Sequence, residues 1–347
     1  MKKKVDFLKL GKLKHEFLGR LLKEFVSDSS IKDNRIVLGP KIGEDAAIID
    51  MDDHYLVAKT DPITFTTDEI GYYCVNVNVN DLVCTGAIPK WFQAVILLPE
   101  KNTTEERVEE IFKKIHDACK KFNISIIGGH TEVTAGLDRP IIIGSLLGEV
   151  DKEKLVITSN VKENDDLILT KGIFIEGTAI IGREKENFLK KMGLNVEFIE
   201  KCKNYLFDPG ISVYKEALLA NENFKINSMH DPTEGGLACG IIEMALASNL
   251  GVIIEEEKIM ILEEPLKLSK IFGLNPLGTI TSGSLLISID NRDSADLVNK
   301  LRENGIQAEI IGHFTDKNEK YLIKNKEGKI QRLQYSEKDE IVKIFKF

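Results

Sequence analysis

The chain has 347 residues, 43% hydrophobic and 29% charged, with a formal net charge of −8. That length exceeds the size at which one core usually stops growing, so two domains are expected, and the acidic balance argues against a nucleic-acid binder. No run approaches the roughly 18 apolar residues that span a bilayer, and the basic start Met1-Lys2-Lys3-Lys4 lacks the apolar stretch of a signal peptide; the expected compartment is the cytoplasm.

Apolar residues from Phe7 to Phe25 recur at near-helical spacing, predicting a helix over 5–27 that ends at the polar run Ser27-Asp28-Ser29-Ser30. Short strands are predicted at 36–38, 46–49 and 55–58. The segment Val75-Asn76-Val77-Asn78-Val79-Asn80-Asp81 alternates strictly, which reads as a strand by period. Strand 91–98, an amphipathic helix over 103–122 opened by a Thr cap, and strands 124–127 and 140–150 complete the first half. A polar stretch, 151–165, suggests a boundary between domains spanning 1–155 and 156–347. The second half alternates helices near 174–184, 187–204, 211–221, 235–248, 263–271 and 293–304 with strands at 166–170, 226–229, 250–255, 284–289, 307–312 and 320–324. Its charge-rich tail, 316–338, reads as a solvated hairpin.

Chemistry concentrates between Gly39 and Asp81. Gly43-Glu44-Asp45, Lys59-Thr60-Asp61-Pro62 and Asn80-Asp81 place three acidic clusters beside Gly, Asn or Pro within forty-three residues. A lone G-E-D is ordinarily a β-turn with exposed charges, and Asp61 alone is an ordinary strand-end aspartate. Asp81 lies inside an apolar stretch, where an ionised carboxylate is rarely buried unless paired. Together the three make a site for a divalent metal and a phosphorylated ligand, since hard cations take oxygen ligands. After strand 124–127, the pair Gly128-Gly129 offers backbone N–H groups to an anion, and His130 can donate a hydrogen bond, ligate metal or do neither. Strand–turn–helix devices recur at Thr170-Lys171-Gly172 and at His230-Asp231-Pro232-Thr233-Glu234-Gly235-Gly236, where helix N-termini can hold anions or simply be capped. Neither a Walker A motif nor G-x-G-x-x-G is present. Cys74, Cys84, Cys119, Cys202 and Cys239 are odd in number and form no C-x-x-C pair, so they read as inert core residues.

In this order the blocks resemble the superfamily of aminoimidazole ribonucleotide synthase, selenophosphate synthetase, thiamine-monophosphate kinase and the hydrogenase maturation factor HypE. The matching blocks are Ile42 to Ala47, Thr60-Asp61, Asn76 to Leu82 with Gly86-Ala87-Ile88-Pro89, Gly128 to Glu132, Leu169 to Gly172, and Asp231 to Leu237. Asp231 to Leu237, Thr170 to Thr178 and Ser282 to Leu286 are most similar to HypE. The resemblance implies an α/β (α+β), PurM-like two-domain fold whose N-terminal domain forms a dimeric β-barrel with a second copy. It implies a helix, not a strand, over Val75 to Asp81. It also implies ATP in the cleft between domains, with Mg²⁺ held by Glu44, Asp45, Asp61 and Asp81. Lys41, Gly43, Asn80, Gly128, Gly129, Lys171, Gly172, Asp231, Thr233, Gly235 and Gly236 would lie around the nucleotide, and Asp81 and His130 are the candidate catalytic residues.

The implied activity is ATP-dependent activation of an amide or acid oxygen by phosphorylation. The alternatives are a small-metabolite kinase and a non-catalytic nucleotide-binding partner in metalloenzyme maturation. The sequence departs from the pattern in three respects. HypE ends in a tail whose final cysteine carries the reacting group, whereas here no cysteine follows Cys239. The Gly-rich N-terminal loop is reduced to Leu10-Gly11-Lys12. His130 and Glu44 stand where many members have Asp.

Overall fold

The structure, a computed structural model, describes residues 13, 15–27, 33–41, 43–64, 66–336 and 338–346. Leu10-Gly11-Lys12, Ile42 and most of the N-terminal half of the helix expected over 5–27 lie outside these residues. The rest of that helix is α1 (His15–Leu22), followed by a wider turn through Ser27. The first sheet contains β1 (Ile36–Leu38), β2 (Ala47–Asp50), β3 (His54–Ile63), β4 (Ile88–Pro99), β5 (Ser125–Thr134) and β6 (Ile141–Asp151), in the order β1-β2-β3-β6-β4-β5. Only β4 and β5 pair in parallel. The sheet is open: among the described residues one chain does not close it into a barrel, and β5 is an edge.

Two helices cover this sheet, α2 (Ile70–Cys84) and α3 (Glu105–Lys121). The alternating Val-Asn segment is therefore helical. Every residue of α2 except Tyr72 is buried, so no polar face exists to give a 3.6-residue period. Two of its asparagines bond back along the helix: the amide groups of Asn76 and Asn78 donate to the carbonyls of Tyr72 and Cys74, four residues back. Gly144 of β6 lets the helix sit close, since a Cβ there would stand 2.5 Å from Asn78 Nδ2. Thr104, not Thr103, caps α3 by accepting from the Arg107 N–H.

The second sheet runs β13-β12-β9-β11-β7-β10-β8, from β7 (Asp165–Thr170), β8 (Ser228–His230), β9 (Gly251–Glu255), β10 (Leu286–Asp290), β11 (Ala308–Thr315), β12 (Tyr321–Lys324) and β13 (Ile330–Arg332). Helices α4 (Ile175–Glu184), α5 (Glu186–Lys191), α6 (Val196–Asn204), α7 (Tyr214–Asn223), α8 (Gly236–Ser248), α9 (Glu263–Phe272) and α10 (Ser294–Glu303) surround it. The expected tail hairpin is β12–β13, but the chain then turns inward, burying Ile341 and Ile344. All five cysteines are free and buried. Among the described residues no helix is long and apolar enough to cross a membrane.

Polar bonds tie the two halves together. Asn80 of α2 donates to the Ile211 carbonyl and accepts from the Val213 N–H. Glu44 accepts from the N–H groups of Thr158 and Ser159. These contacts set the segments that meet at the site.

Candidate functional site

A cavity of about 350 Å³ opens where the first sheet, α2, α4 and the turn before α8 converge. Asp45 reaches it from the turn before β2, Lys59 and Asp61 from β3, Asp81 from α2, and His230 and Asp231 from the end of β8. Position follows from secondary structure. Lys59 and Asp61 are two apart on a strand and so face the same side. The Asn78 amide oxygen accepts the Asp61 N–H, pinning β3 to α2 beside Asp81.

Lys59 is the centre of this group. Its ammonium, 8% exposed, lies 3.0 Å from Asp81 Oδ2 and 3.3 Å from Asp61 Oδ2. Burial alone would lower its pKa, but the carboxylates of Asp81, Asp45 and Asp61 outweigh burial and raise it, so the ammonium stays charged. Burial pushes the Asp81 carboxyl well up, against the pull of Lys59. The Asp231 carboxyl is pushed up to about 7 by burial and by the Asp45 charge. Asp81 and Asp231 are thus a buried acid pair that resists holding two negative charges. His230 bridges to Asp45 (3.5 Å) and Glu243 (3.1 Å). Burial opposes its charge, but Glu243 and Asp45 together raise its pKa.

Asp81 Oδ2 is met by the Lys59 ammonium at 3.0 Å, whereas the buried Asp231 Oδ2 accepts no hydrogen bond, a costly state unless a cation meets it. Among the described residues no three His, Cys, Asp or Glu side chains are arranged to hold a metal as they stand. The cation among them is the Lys59 ammonium. Their chemistry, hard carboxylate oxygens from several segments, fits Mg²⁺ if Lys59 yields its place.

The other expected residues divide. Thr233 lines the same cavity. Gly43, at φ +84°, presses the acidic turn against α8, where a Cβ would meet Ala247 at 3.2 Å. Glu44 is beside the site, but both its oxygens are spent on Thr158 and Ser159. Asn80 is fully used as the clamp described above. Lys41 is exposed and pairs by its backbone with Glu44. Lys171 does not reach the acidic cavity: its ammonium binds the Gly210 and Ser212 carbonyls and, at 2.8 Å, Glu216, in a separate cleft of about 810 Å³. Gly172 turns beside Met260, whose carbonyl a Cβ would approach at 2.9 Å. The Gly235 N–H, expected to meet an anion, already donates to Asp339 of this chain at 2.6 Å. Gly236 packs against Leu277 and Thr279, leaving 2.7 Å or less for a Cβ. The pair Gly128-Gly129 is inside β5, not at its end. A bulge at Ile127 shifts the register there, and a Cβ on Gly129 would lie 2.2 Å from the Ala94 carbonyl oxygen. His130, on the same strand, is exposed and contacts Glu132 at 3.2 Å.

Sequence reasoning passed over Lys59, Glu176, Ser282 and Asp339. A lysine two residues before a strand-end aspartate is a weak signal, and the last three come from the second half, far along the chain.

Residues 43–150 match the AIR synthase related protein, N-terminal domain, and residues 162–325 match its C-terminal domain. The chain belongs to the AIR synthase related protein family. It is 32% identical to a Methanocaldococcus jannaschii protein whose name assigns it to hydrogenase expression and formation, over 90% of this chain and 92% of that one. Its mixed α/β, PurM-like two-domain fold is shared with solved structures. One is hydrogenase maturation protein HypE in complex with ATP (TM-score 0.69, 20% identity, 94% of this chain and 96% of that one). Another is AaThiL complexed with AMPPCP and TMP (TM-score 0.72, 18% identity, 96% and 99%).

Proposed function

We propose that this member of the AIR synthase related family is a Mg²⁺- and ATP-dependent enzyme that phosphorylates an oxygen of a second substrate, and that the cavity around Lys59 holds the triphosphate. The observation that carries this reading is the meeting of Asp45, Asp61, Asp81 and Asp231, from four separate segments, around one buried cation. That HypE and AaThiL have been solved with ATP and AMPPCP adds weight to a nucleotide here. Asp45, Asp61 and Asp81 would hold Mg²⁺, which would neutralise the triphosphate and fix its geometry. Lys59, released from Asp81 and Asp61, would turn its ammonium to a phosphate oxygen. Asp231, titrating near neutrality, can share the proton of the acid pair as charge in the site changes. Thr233, at the start of the turn before α8, faces the same space.

In this reading Glu44 and Asn80 hold the two domains, divided at residues 155 and 156, in register. His130 and Gly128-Gly129 would act only across a contact with a second copy, joined along the exposed strand β5. Product analysis distinguishes activation from simple kinase action: a stable phosphorylated product marks the kinase, and dehydration or ring closure marks activation. Asp81→Asn is the direct test. It should lower Mg·ATP affinity by about 100-fold or more, since even residues that merely support metal ligands contribute ~10–100-fold, while the circular dichroism spectrum is kept. Unchanged affinity by calorimetry would remove Asp81 and this assignment.

A further inference from the structure

Lys171 lies outside the acidic cavity, yet its ammonium grips the segment on which Asp81 depends. Residues 210–213 run between the larger cleft and α2, and their polar groups divide by side. Facing the cleft, the carbonyls of Gly210 and Ser212 accept from Lys171 Nζ at 3.2 and 2.6 Å. On the α2 side, Asn80 Nδ2 donates to the Ile211 carbonyl at 2.7 Å, and Asn80 Oδ1 accepts the Val213 N–H at 2.9 Å. Ile211 and Val213 are fully buried there. Gly283 closes a third side, since a Cβ on it would lie 2.5 Å from the Gly210 carbonyl oxygen and 3.0 Å from Ile211 Cα. Asn80 is the neighbour of Asp81 in the same helical turn. Whatever fixes residues 210–213 therefore fixes the base of the Asp81 side chain.

Lys171 is itself set with little freedom. Its φ of +56° is a conformation that residues other than glycine seldom adopt. Backbone bonds hold the turn on both flanks: the Lys171 N–H donates to the Gln307 carbonyl at 2.7 Å, and the Ile173 N–H to the Met260 carbonyl at 3.1 Å. The buried Glu216 carboxylate meets the ammonium at 2.8 Å and offsets its loss of water. Two carbonyls and one carboxylate match the three N–H donors of an ammonium, so none remains for a ligand in the cleft. Beyond the turn the chain enters α4, whose first turn puts Glu176, 6% exposed, on the wall of the acidic cavity.

We propose that Lys171 is a positioning residue for the metal site: through residues 210–213 and Asn80 it holds Asp81 where Mg²⁺ must meet it. This rests on the reading of Asp81 as a metal ligand. Lys171 touches neither metal nor nucleotide. Without its ammonium the Gly210 and Ser212 carbonyls are released and the segment shifts. Asp81 then loses the placement that a cation demanding near-octahedral geometry requires.

Lys171→Met alone would leave Glu216 a buried, unpaired charge. The test therefore uses the full chain carrying Lys171→Met together with Glu216→Gln, beside Glu216→Gln alone. By calorimetry, Mg·ATP should bind the double variant at least about tenfold more weakly than the parent, as for other residues that support metal ligands. Binding by Glu216→Gln should stay within about threefold of the parent, because Lys171 keeps its carbonyls. Raising the Mg²⁺ concentration should recover most of the loss, since a misplaced ligand weakens the metal and not the fold. Adding Asn80→Ala should cost no further affinity, both changes acting through one segment. In protein labelled with ¹⁵N-asparagine, the Asn80 side-chain amide signal, assigned by its absence in Asn80→Ala, should move in the double variant and stay in Glu216→Gln. Unchanged Mg·ATP affinity in the double variant, a loss indifferent to Mg²⁺, a loss that adds to that of Asn80→Ala, or an unmoved amide signal overturns the proposal. Should the parent fail to bind Mg·ATP, the nucleotide reading falls and the amide signal alone decides: movement keeps Lys171 as the residue that sets Asn80, and no movement removes it.

Discussion

At the scale of single residues, the site is organised by groups that are stable only with a counterpart. Lys59 is one: three carboxylates keep a buried ammonium charged, so the pocket is pre-set for a cation. Glu176 is the opposite case, a carboxyl held in the folded state against its own ionisation. Burial raises its pKa from 4.5 to about 7, with Ser282 opposing. The folded value lies above the unfolded one, so ionisation disfavours folding. The cost is absent below about pH 4.5, grows through the interval and is complete above pH 7, at about 3 kcal/mol or less. Glu176→Gln removes the charge and keeps the shape. Urea unfolding should therefore show the variant gaining stability relative to the parent from pH 5 to pH 8. A stability difference that is the same at both pH values would mean that Glu176 is not buried as described.

At the scale of elements, α2 does most of the positioning. Its Asn80 joins the halves through two bonds to residues 211–213, and cutting the side chain strands a buried carbonyl and a buried N–H. At about 1–3 kcal/mol for each unmet group, Asn80→Ala should lower stability by roughly 3 kcal/mol. The expected readout is a lower urea midpoint, with loss of Mg·ATP affinity as Asp81 loses its frame. A midpoint within experimental error of the parent would show that the clamp does not join the halves. The same helix shows what the sequence can and cannot reveal. Strands and amphipathic helices were legible because each has one wet face, as α3 and β6 do. The period of α2 misleads because it is dry on all sides, and only the resemblance to a known family indicated a helix there. Asp45, Asp61 and Asp81 were legible as costly carboxylates, and the structure brings all three to one cavity. Lys59 was not, because nothing local marks a strand lysine as buried. The turns at Gly128-Gly129 and Gly235-Gly236 read as anion cradles, but Gly129 answers to close packing on Ala94, and Gly236 to close packing on Leu277 and Thr279. Asp339, roughly a hundred residues later, fills the second of them.

At the scale of the whole molecule, the first sheet is unfinished. Nine of the ten residues of β5 are exposed, among them Ile126, Ile127 and Val133. A long, exposed edge strand with apolar side chains invites pairing with another chain unless it is guarded, and soluble proteins seldom leave one bare. Burying three such side chains would contribute several kcal/mol, at about 1.5–3 each, and would bring His130 and Gly128-Gly129 into a contact instead of solvent. The opposite edge, β1, has only three residues and offers far less. These facts predict a homodimer joined along β5. Ile127→Lys combined with Val133→Lys places two ammonium groups per copy on that edge, where like charges from the second copy would face them. Light scattering should give twice the chain mass for the parent and the single-chain mass for the double variant, with secondary structure unchanged. If His130 works across the contact, turnover should fall with the dimer. A parent protein that runs as a monomer at micromolar concentration would leave β5 an ordinary edge and His130 outside the reaction.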